Sequence, residues 1–247
     1  MDKKLNTIKG QIEHWKEYIK NFSEVRYKRS EDESWRTTGL SQAPDAEGLV
    51  EKAIIREDSY HPYKESQGNI EKLLEECILL ISTMRMEPLS TELTIIDLGC
   101  LTGKWIGHLV PYAEEIICVD LIDDGFWFIK ERYQNQECKF KFYITKGNEL
   151  EGVDTDSVDL IFSIDSLMRT PIANIDEYFV EFGRVMKKGS TLCLHLAAEN
   201  SGIPETKNMP ILSEEHIKGL CDSNNLEFVK LDPNILNLGS VLVATRK

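Results

Sequence analysis

From residue 94 onward, apolar positions fall in short blocks whose period switches at regular intervals. Runs rich in β-branched and aromatic residues at 94–98 (TIIDL), 115–120 (EIICVD), 139–144 (KFKFYI), 158–163 (VDLIFS) and 190–196 (STLCLHL) predict strands. Between and after them, 103–112, 124–135, 173–187 and 213–224 carry the longer spacing of helices. Two further strand-like runs, 226–231 (LEFVKL) and 239–245 (GSVLVAT), have no helix between them. Alternating strands and helices predict an α/β fold, a mostly parallel sheet covered on both faces. The last two strands predict an antiparallel pair at one edge. Upstream, 69–86 (NIEKLLEECILLISTMRM) predicts a strong helix that Pro88 and Ser90 end. Residues 3–20 set Ile8, Ile12, Trp15 and Ile19 near helical spacing, one apolar stripe on an otherwise charged helix. The stretch 22–68 is polar and irregular, punctuated by Gly39, Pro44 and Gly48. The chain thus divides into an N-terminal extension, 1–68, and an α/β domain, 69–247.

Composition narrows the functional classes. With 247 residues, 41% hydrophobic and 29% charged, the chain can bury a sizeable core. No apolar run approaches the ~18–20 residues of a membrane span, so no membrane partner is expected. The opening segment MDKKLNTIKGQIEHW lacks the apolar core of a signal peptide, which points to the cytoplasm. Six cysteines are scattered singly without a C-x-x-C pair, so they read as small buried hydrophobes rather than a zinc or redox motif. Asp123 and Asp124 are adjacent, but they sit where a helix start favours carboxylates, and no metal is expected. A net charge of −13 repels phosphate backbones, so nucleic acid is a poor partner and a small molecule a better one.

The chemistry concentrates around TIIDLGCLTGKW, residues 94–105. In an open α/β sheet, ligands bind beyond the carboxyl ends of the strands, where Asp97, Gly99 and Gly103 lie. Glycine permits a sharp turn and a close ligand, and a following helix start offers unpaired N–H groups. Cys100-Leu101-Thr102 separates the two glycines, so the dinucleotide fingerprint G-x-G-x-x-G is absent and a nicotinamide cofactor is disfavoured. The next strand ends in Asp120, 17 residues after Gly103, where a carboxylate can accept both hydroxyls of a ribose. Lys146-Gly147-Asn148-Glu149 follows the third strand, and an Asn amide there can read the amino face of an adenine. Trp105 and Trp127 read as packing residues.

These parts, with SVDLIFSIDSL at 157–167 and EYFVEFGRVMKKGSTLCLHL at 177–196, make the sequence resemble the class I S-adenosylmethionine-dependent methyltransferases over roughly 90–247. The resemblance implies a Rossmann-like seven-stranded sheet with its last strand antiparallel. It implies S-adenosylmethionine as methyl donor, with S-adenosylhomocysteine as product. It places Asp97, Gly99, Cys100 and Gly103 around the methionine end, Asp120 on the ribose and Leu121 near the adenine. Asn148, with Glu149 beside it, stands at the adenine amino group, where the family usually has Asp. Ser163 and Ile164 face the sulfonium region. Two departures stand out: Cys100-Leu101-Thr102 is bulkier than the small residues usual in that turn, and KKGS replaces a proline-glycine-glycine type of turn before the fifth strand.

Methyl transfer needs a nucleophile held in line with the S–CH3 bond, and a hydroxyl nucleophile also benefits from a general base. Asp165, Ser166 and Arg169 follow the fourth strand, and His195 and Glu199 end the fifth. His195 is the first choice for the base because its pKa range suits the role. Asp165 is the alternative, as base or substrate orienter. Relatives often carry histidine where this chain has Arg169, and arginine stays protonated. Arg169 either holds an anionic substrate group or pairs with a helix carboxylate. The expected reaction is O-methylation of a small-molecule hydroxyl, a sugar or saccharide precursor ahead of a phenol. N-methylation is the alternative, and a non-catalytic cofactor-binding partner subunit is the alternative of another class. In this superfamily such extensions commonly cover the cofactor, so 1–68 is expected to be a lid, with Trp35, Arg36, Tyr60, His61, Pro62 and Tyr63 as its aromatic and polar groups.

Overall fold

The computed structural model describes residues 7–32, 67–199, 201–203, 209–236 and 238–247. Seven strands form one sheet: β1 (Leu93–Leu98), β2 (Ala113–Asp120), β3 (Lys139–Ile144), β4 (Val158–Ser163), β5 (Met186–Leu196), β6 (Leu226–Asp232) and β7 (Ser240–Arg246). Their order is β3-β2-β1-β4-β5-β7-β6. The β1–β2, β1–β4, β2–β3 and β4–β5 pairs are parallel, and β7 is antiparallel to both its neighbours. The described helices are α1 (Ile8–Asp32), α2 (Gln67–Arg85), α3 (Ile106–Leu109), α4 (Phe126–Tyr133), α5 (Ile172–Val185) and α6 (Glu214–Ser223).

The inner strands are apolar without alternation because both faces are covered. In β1, Ile95 joins one core with Ile70 and Leu73 of α2, Ile106 of α3 and Ile129 of α4. Its neighbour Ile96 joins the other, with Phe179 and Phe182 of α5 and Ile217 of α6. Helix α5 buries Ile175, Tyr178, Phe179, Phe182 and Val185, the three-and-four spacing of one helical face. Helix α6 starts at Ser213, whose hydroxyl accepts a hydrogen bond from the His216 N–H at 3.1 Å.

Three expectations are refined. The predicted antiparallel pair lies at one end of the sheet, with β7 as its inner strand between β5 and β6, and β6 outermost. Burial explains it, since β7 is buried at every position but Arg246, whereas β6 exposes Glu227 and Val229. Strand β5 begins at Met186 rather than 190, its first residues bulging before the ladder resumes at Thr191. The helix expected over 103–112 is a turn, then α3, then a 3₁₀ segment Val110–Tyr112 containing Pro111, which has no N–H for an α-helical bond.

Beneath the amino ends of β1, β4 and β5, the buried Asp159 carboxylate gathers three donors. Its Oδ2 accepts the Thr94 N–H at 2.8 Å and Lys187 Nζ at 2.8 Å, and its Oδ1 forms an ion pair with Arg85 Nη1 at 2.7 Å. Strand order reverses between β1 and β4, which makes their carboxyl ends the switch point where α/β sheets bind ligands.

Candidate active site

A cavity of about 370 Å³ occupies that switch point, within the range of roughly 300–1,000 Å³ usual for small-molecule sites. Its floor is the turn after β1. The N–H groups of Gly99 (2.7 Å) and Cys100 (3.3 Å) donate to the Val119 carbonyl, which bends the chain over the end of β2. Gly99 has φ +79°, and a Cβ there would collide with the Ser166 side chain. Glycine is therefore required twice at this position, for the backbone and for the neighbour. Leu101 also has positive φ, +44°, which is uncommon for a branched residue. Its N–H donates to Asp120 Oδ2 at 2.8 Å, which holds that conformation in place.

Asp120 ends β2 on the cavity wall. Its Oδ1 accepts the N–H groups of Leu121 at 2.7 Å and Ile122 at 3.4 Å. Burial pushes its pKa up to about 6, against the opposing pull of these backbone donors. Asp97 stands beneath the turn, 1% exposed. Burial first, and the Asp120 charge second, push its pKa up to about 8. Its Oδ2 has no hydrogen-bond partner among the described residues.

After β3, Thr145 shapes the next part of the wall. Its hydroxyl donates to the Glu149 carbonyl at 2.7 Å and accepts the Gly147 N–H at 3.0 Å. With its proton committed to Glu149, the 3.1 Å contact to Tyr178 has the phenol as donor. Burial raises the Tyr178 pKa, so the phenol stays protonated. After β4, Ile164, Asp165, Ser166 and Leu167 reach the cavity, Asp165 with φ +65°. The roof is the start of α1, through Ile8, Gln11, Trp15 and Tyr18. Gln11, 4% exposed, donates from Nε2 to the Arg169 carbonyl at 2.9 Å.

Of the residues expected to bind cofactor, Gly99, Cys100, Asp120, Leu121 and Ile164 line the cavity. Asp97, Gly103, Asn148, Glu149 and Ser163 stand behind its wall. Asn148 donates its amide to Glu177 of α5, and the adjacent Gly147 takes the wall position. Ser163 donates to the Leu98 carbonyl at 2.8 Å and thereby ties β4 to β1. Of the catalytic candidates, Asp165 reaches the cavity, whereas His195 and Arg169 do not. His195 is fully buried in β5, its Nδ1 facing the Asp165 N–H at 3.2 Å and its Nε2 the Leu238 carbonyl at 2.6 Å. A cavity-facing base at His195 is therefore not what the geometry provides. Trp105 is packed as expected, 6% exposed, but its ring also borders the cavity. Trp35, Arg36, Tyr60, His61, Pro62 and Tyr63 lie outside the described residues.

Sequence reasoning missed Gln11, Tyr18, Lys104, Thr145 and Tyr178 as wall residues. The apolar stripe containing Ile8 and Trp15 was the one signal for the roof, and nothing local marked Tyr178, which reaches the site from α5. Among the described residues there is no cluster of His, Cys, Asp or Glu able to hold a metal ion, and no helix long and apolar enough to cross a membrane.

A methyltransferase-domain family model matches residues 95–189, the span from β1 into β5 that builds most of the cavity wall. Over these residues the chain resembles the class I S-adenosylmethionine-dependent methyltransferases. A stretch of 124 residues, 48% of this chain, is 24% identical to the probable S-adenosylmethionine-dependent methyltransferase CRG1 of Saccharomyces cerevisiae, of whose length it spans 41%. The fold is similar to that of geranyl diphosphate C-methyltransferase from Streptomyces coelicolor, with TM-score 0.56 and 12% identity over 83% of this chain and 85% of that one. It is also similar to the PH0226 protein of Pyrococcus horikoshii, with TM-score 0.52 and 16% identity over 70% and 91%. Identities this low speak to the methyltransferase fold, and what is transferred has to be argued from the cavity.

Proposed function

We propose that this methyltransferase uses S-adenosylmethionine to O-methylate a hydroxyl of a small molecule. The observation that carries the cofactor assignment is Asp120, a carboxylate on the cavity wall held by backbone N–H groups at the end of β2. Its remaining lone pairs suit a vicinal diol, the ribose hydroxyls. Leu121 and Ile8 offer apolar surface for the adenine beside Gly147. Asp97, behind the Gly99 turn, would act on the cationic methionine end through that turn rather than by direct contact. Asn148 would act on the adenine amino group through the backbone of its turn rather than by direct contact. When bound, the sulfonium supplies the activated methyl group.

The chain's own part is to orient the acceptor, exclude water and accept a proton. Helix α1 roofs the cavity with Trp15 and Tyr18, which supports reading 1–68 as a lid over the site. Asp165 is the carboxylate placed to orient an acceptor hydroxyl and take its proton, as the segment after β4 brings it to the wall. The aromatic faces of Trp15 and Tyr18 suit the C–H face of a sugar ring or a phenol. A sugar or saccharide precursor stays ahead, because Thr145, Asp165 and Ser166 add polar groups to the same wall.

Calorimetric titration of S-adenosylhomocysteine into wild type and Asp120→Ala tests the cofactor assignment. Loss of charged hydrogen bonds worth ~1.5–3 kcal/mol predicts affinity about 10–100-fold weaker in the variant. No wild-type binding at about millimolar ligand, or equal affinity in both proteins, would overturn the assignment. A panel of sugars, nucleotide-sugars, phenols and amines with labelled S-adenosylmethionine then separates O- from N-methylation. Loss of O-methyl product in Asp165→Asn is the expected result.

A further inference from the structure

We propose that His195 is a positioning residue whose Nε2–H tautomer bolts the Ile164–Arg169 segment, and Asp165 in particular, into the cavity wall. The ring is buried at 0% exposure in β5, between two connections at the carboxyl edge of the sheet. One is the segment after β4, whose Asp165 N–H can only donate, so Nδ1 must accept. The other is the β6–β7 connection, whose Leu238 carbonyl can only accept, so Nε2 must carry the proton. The uncharged Nε2–H form satisfies both contacts, whereas the imidazolium would point a second N–H at the Asp165 amide. Burial disfavours that charged form and outweighs the Leu238 bond and the Asp165 charge, which favour it. Asp165 is the titratable group that bears on the ring electrostatically. The turn after β4 contributes Met168 to the packing, β7 pairs Val241 with His195, and the β6–β7 connection presents Leu238 and Gly239.

Two features show that the surroundings are built to this ring. Gly239 has φ +78°, and a Cβ there would strike His195 Nε2 and Met168. Asp165 has φ +65°, a left-handed conformation that Asp adopts more readily than most residues, and its N–H bond to the ring holds it there. The next residue, Ser166, fills the space that Gly99 leaves open. The bolt therefore sets both the Asp165 carboxylate and the packing of the cofactor turn. The step from this geometry to ligand affinity rests on the methyltransferase reading, whereas the tautomer itself does not.

Imidazole nitrogen NMR on the full 15N-labelled chain reads the tautomer directly. Five histidines are present, and His195→Asn assigns the resonance by its loss. The expected result is an unprotonated Nδ1 and a protonated Nε2, with the ring taking up a second proton only at lower pH than a solvated imidazole. An Nδ1–H tautomer, or a ring that titrates like a solvated imidazole, would overturn the proposal. Two variants then divide the bolt. His195→Asn keeps an acceptor near the Nδ1 position, and His195→Gln keeps a donor near the Nε2 position. S-adenosylhomocysteine affinity is expected to stay within about threefold in His195→Asn and to fall about tenfold in His195→Gln, with the Asp165 amide exchanging about tenfold faster. Equal changes in the two variants would reduce His195 to a structural residue and end the proposal. If His195→Gln does not fold, the tautomer and the Asn variant decide. If wild type binds no S-adenosylhomocysteine, the methyltransferase reading fails, while the ring tautomer and the Asp165 exchange rate still judge the bolt.

Discussion

Asp97 and Asp120 are both withdrawn from water, 1% and 6% exposed, but only Asp120 is compensated by several backbone N–H groups. That difference, with the charge of Asp120 acting on its neighbour, is why Asp97 stands at about 8 and Asp120 at about 6. A carboxyl whose folded pKa lies above its unfolded value takes up a proton on folding. Its contribution is complete below the ordinary value of 3.8 and is lost as pH rises through about 8. Asp97→Asn removes this titration without changing the shape of the side chain. The variant is expected to gain on wild type steadily from about pH 4 to about pH 8, by on the order of a few kcal/mol at the upper end. Urea midpoints of both proteins at about pH 5 and about pH 8 measure it, and a gap that does not widen with pH would refute the account. Leu101 is the other residue-scale lesson. A side chain where a tight turn favours glycine is kept at positive φ by the Asp120 carboxylate, so the turn after β1 and Asp120 are one mechanical unit.

The element that changes most between string and structure is α1. From the string it is an amphipathic helix with a narrow apolar stripe, and such a stripe does not say what it covers. In the fold, Ile8 packs on Gly147 and Leu121, and Gln11 anchors the helix to the Arg169 carbonyl. A buried, well-formed side-chain bond contributes about 1 kcal/mol net, and more is lost when its partner is left unsatisfied. Gln11→Ala is expected to speed amide exchange in the first turns of α1 and to raise the S-adenosylhomocysteine dissociation rate by about tenfold, with little change in global melting. Stopped-flow release and hydrogen exchange read the two effects, and an unchanged release rate would remove α1 from the closing of the site. The site is also assembled across elements: Tyr178 arrives from α5 and Ser166 from the turn after β4, each far in sequence from Gly99.

Across the whole molecule, the ends of the sheet do different work. The carboxyl end holds the positive-φ backbone of Gly99, Leu101 and Asp165 and the Asp97 carboxyl, whose Oδ2 has no hydrogen-bond partner among the described residues, while the amino end is held by Arg85, Lys187 and Thr94 around Asp159. Removing the carboxylate leaves two cations facing each other beside buried backbone. Loss of one partner of a buried pair costs ~3–5 kcal/mol, less here because Arg85 is 18% and Lys187 39% exposed. Asp159→Ala is expected to lose about 2–3 kcal/mol in a denaturant titration while S-adenosylhomocysteine affinity stays within about threefold. A large loss of affinity at unchanged stability would mean that the two ends are coupled.

The string by itself determined the α/β alternation, the position of the Gly99 turn and the acid at the end of β2. Each depends on residues adjacent in sequence: a block of strand formers, a glycine that permits positive φ, a carboxylate one strand later. It did not place β7 inside the sheet, because pairing is a choice between strands, and both arrangements satisfy the same apolar pattern. Nor did it distinguish a catalytic histidine from a buried bolt. The chemistry of His195 is the same in either role. What decides is which groups face Nδ1 and Nε2, and those are the Asp165 amide and the Leu238 carbonyl, brought from 30 and 43 residues away by the folding of the sheet.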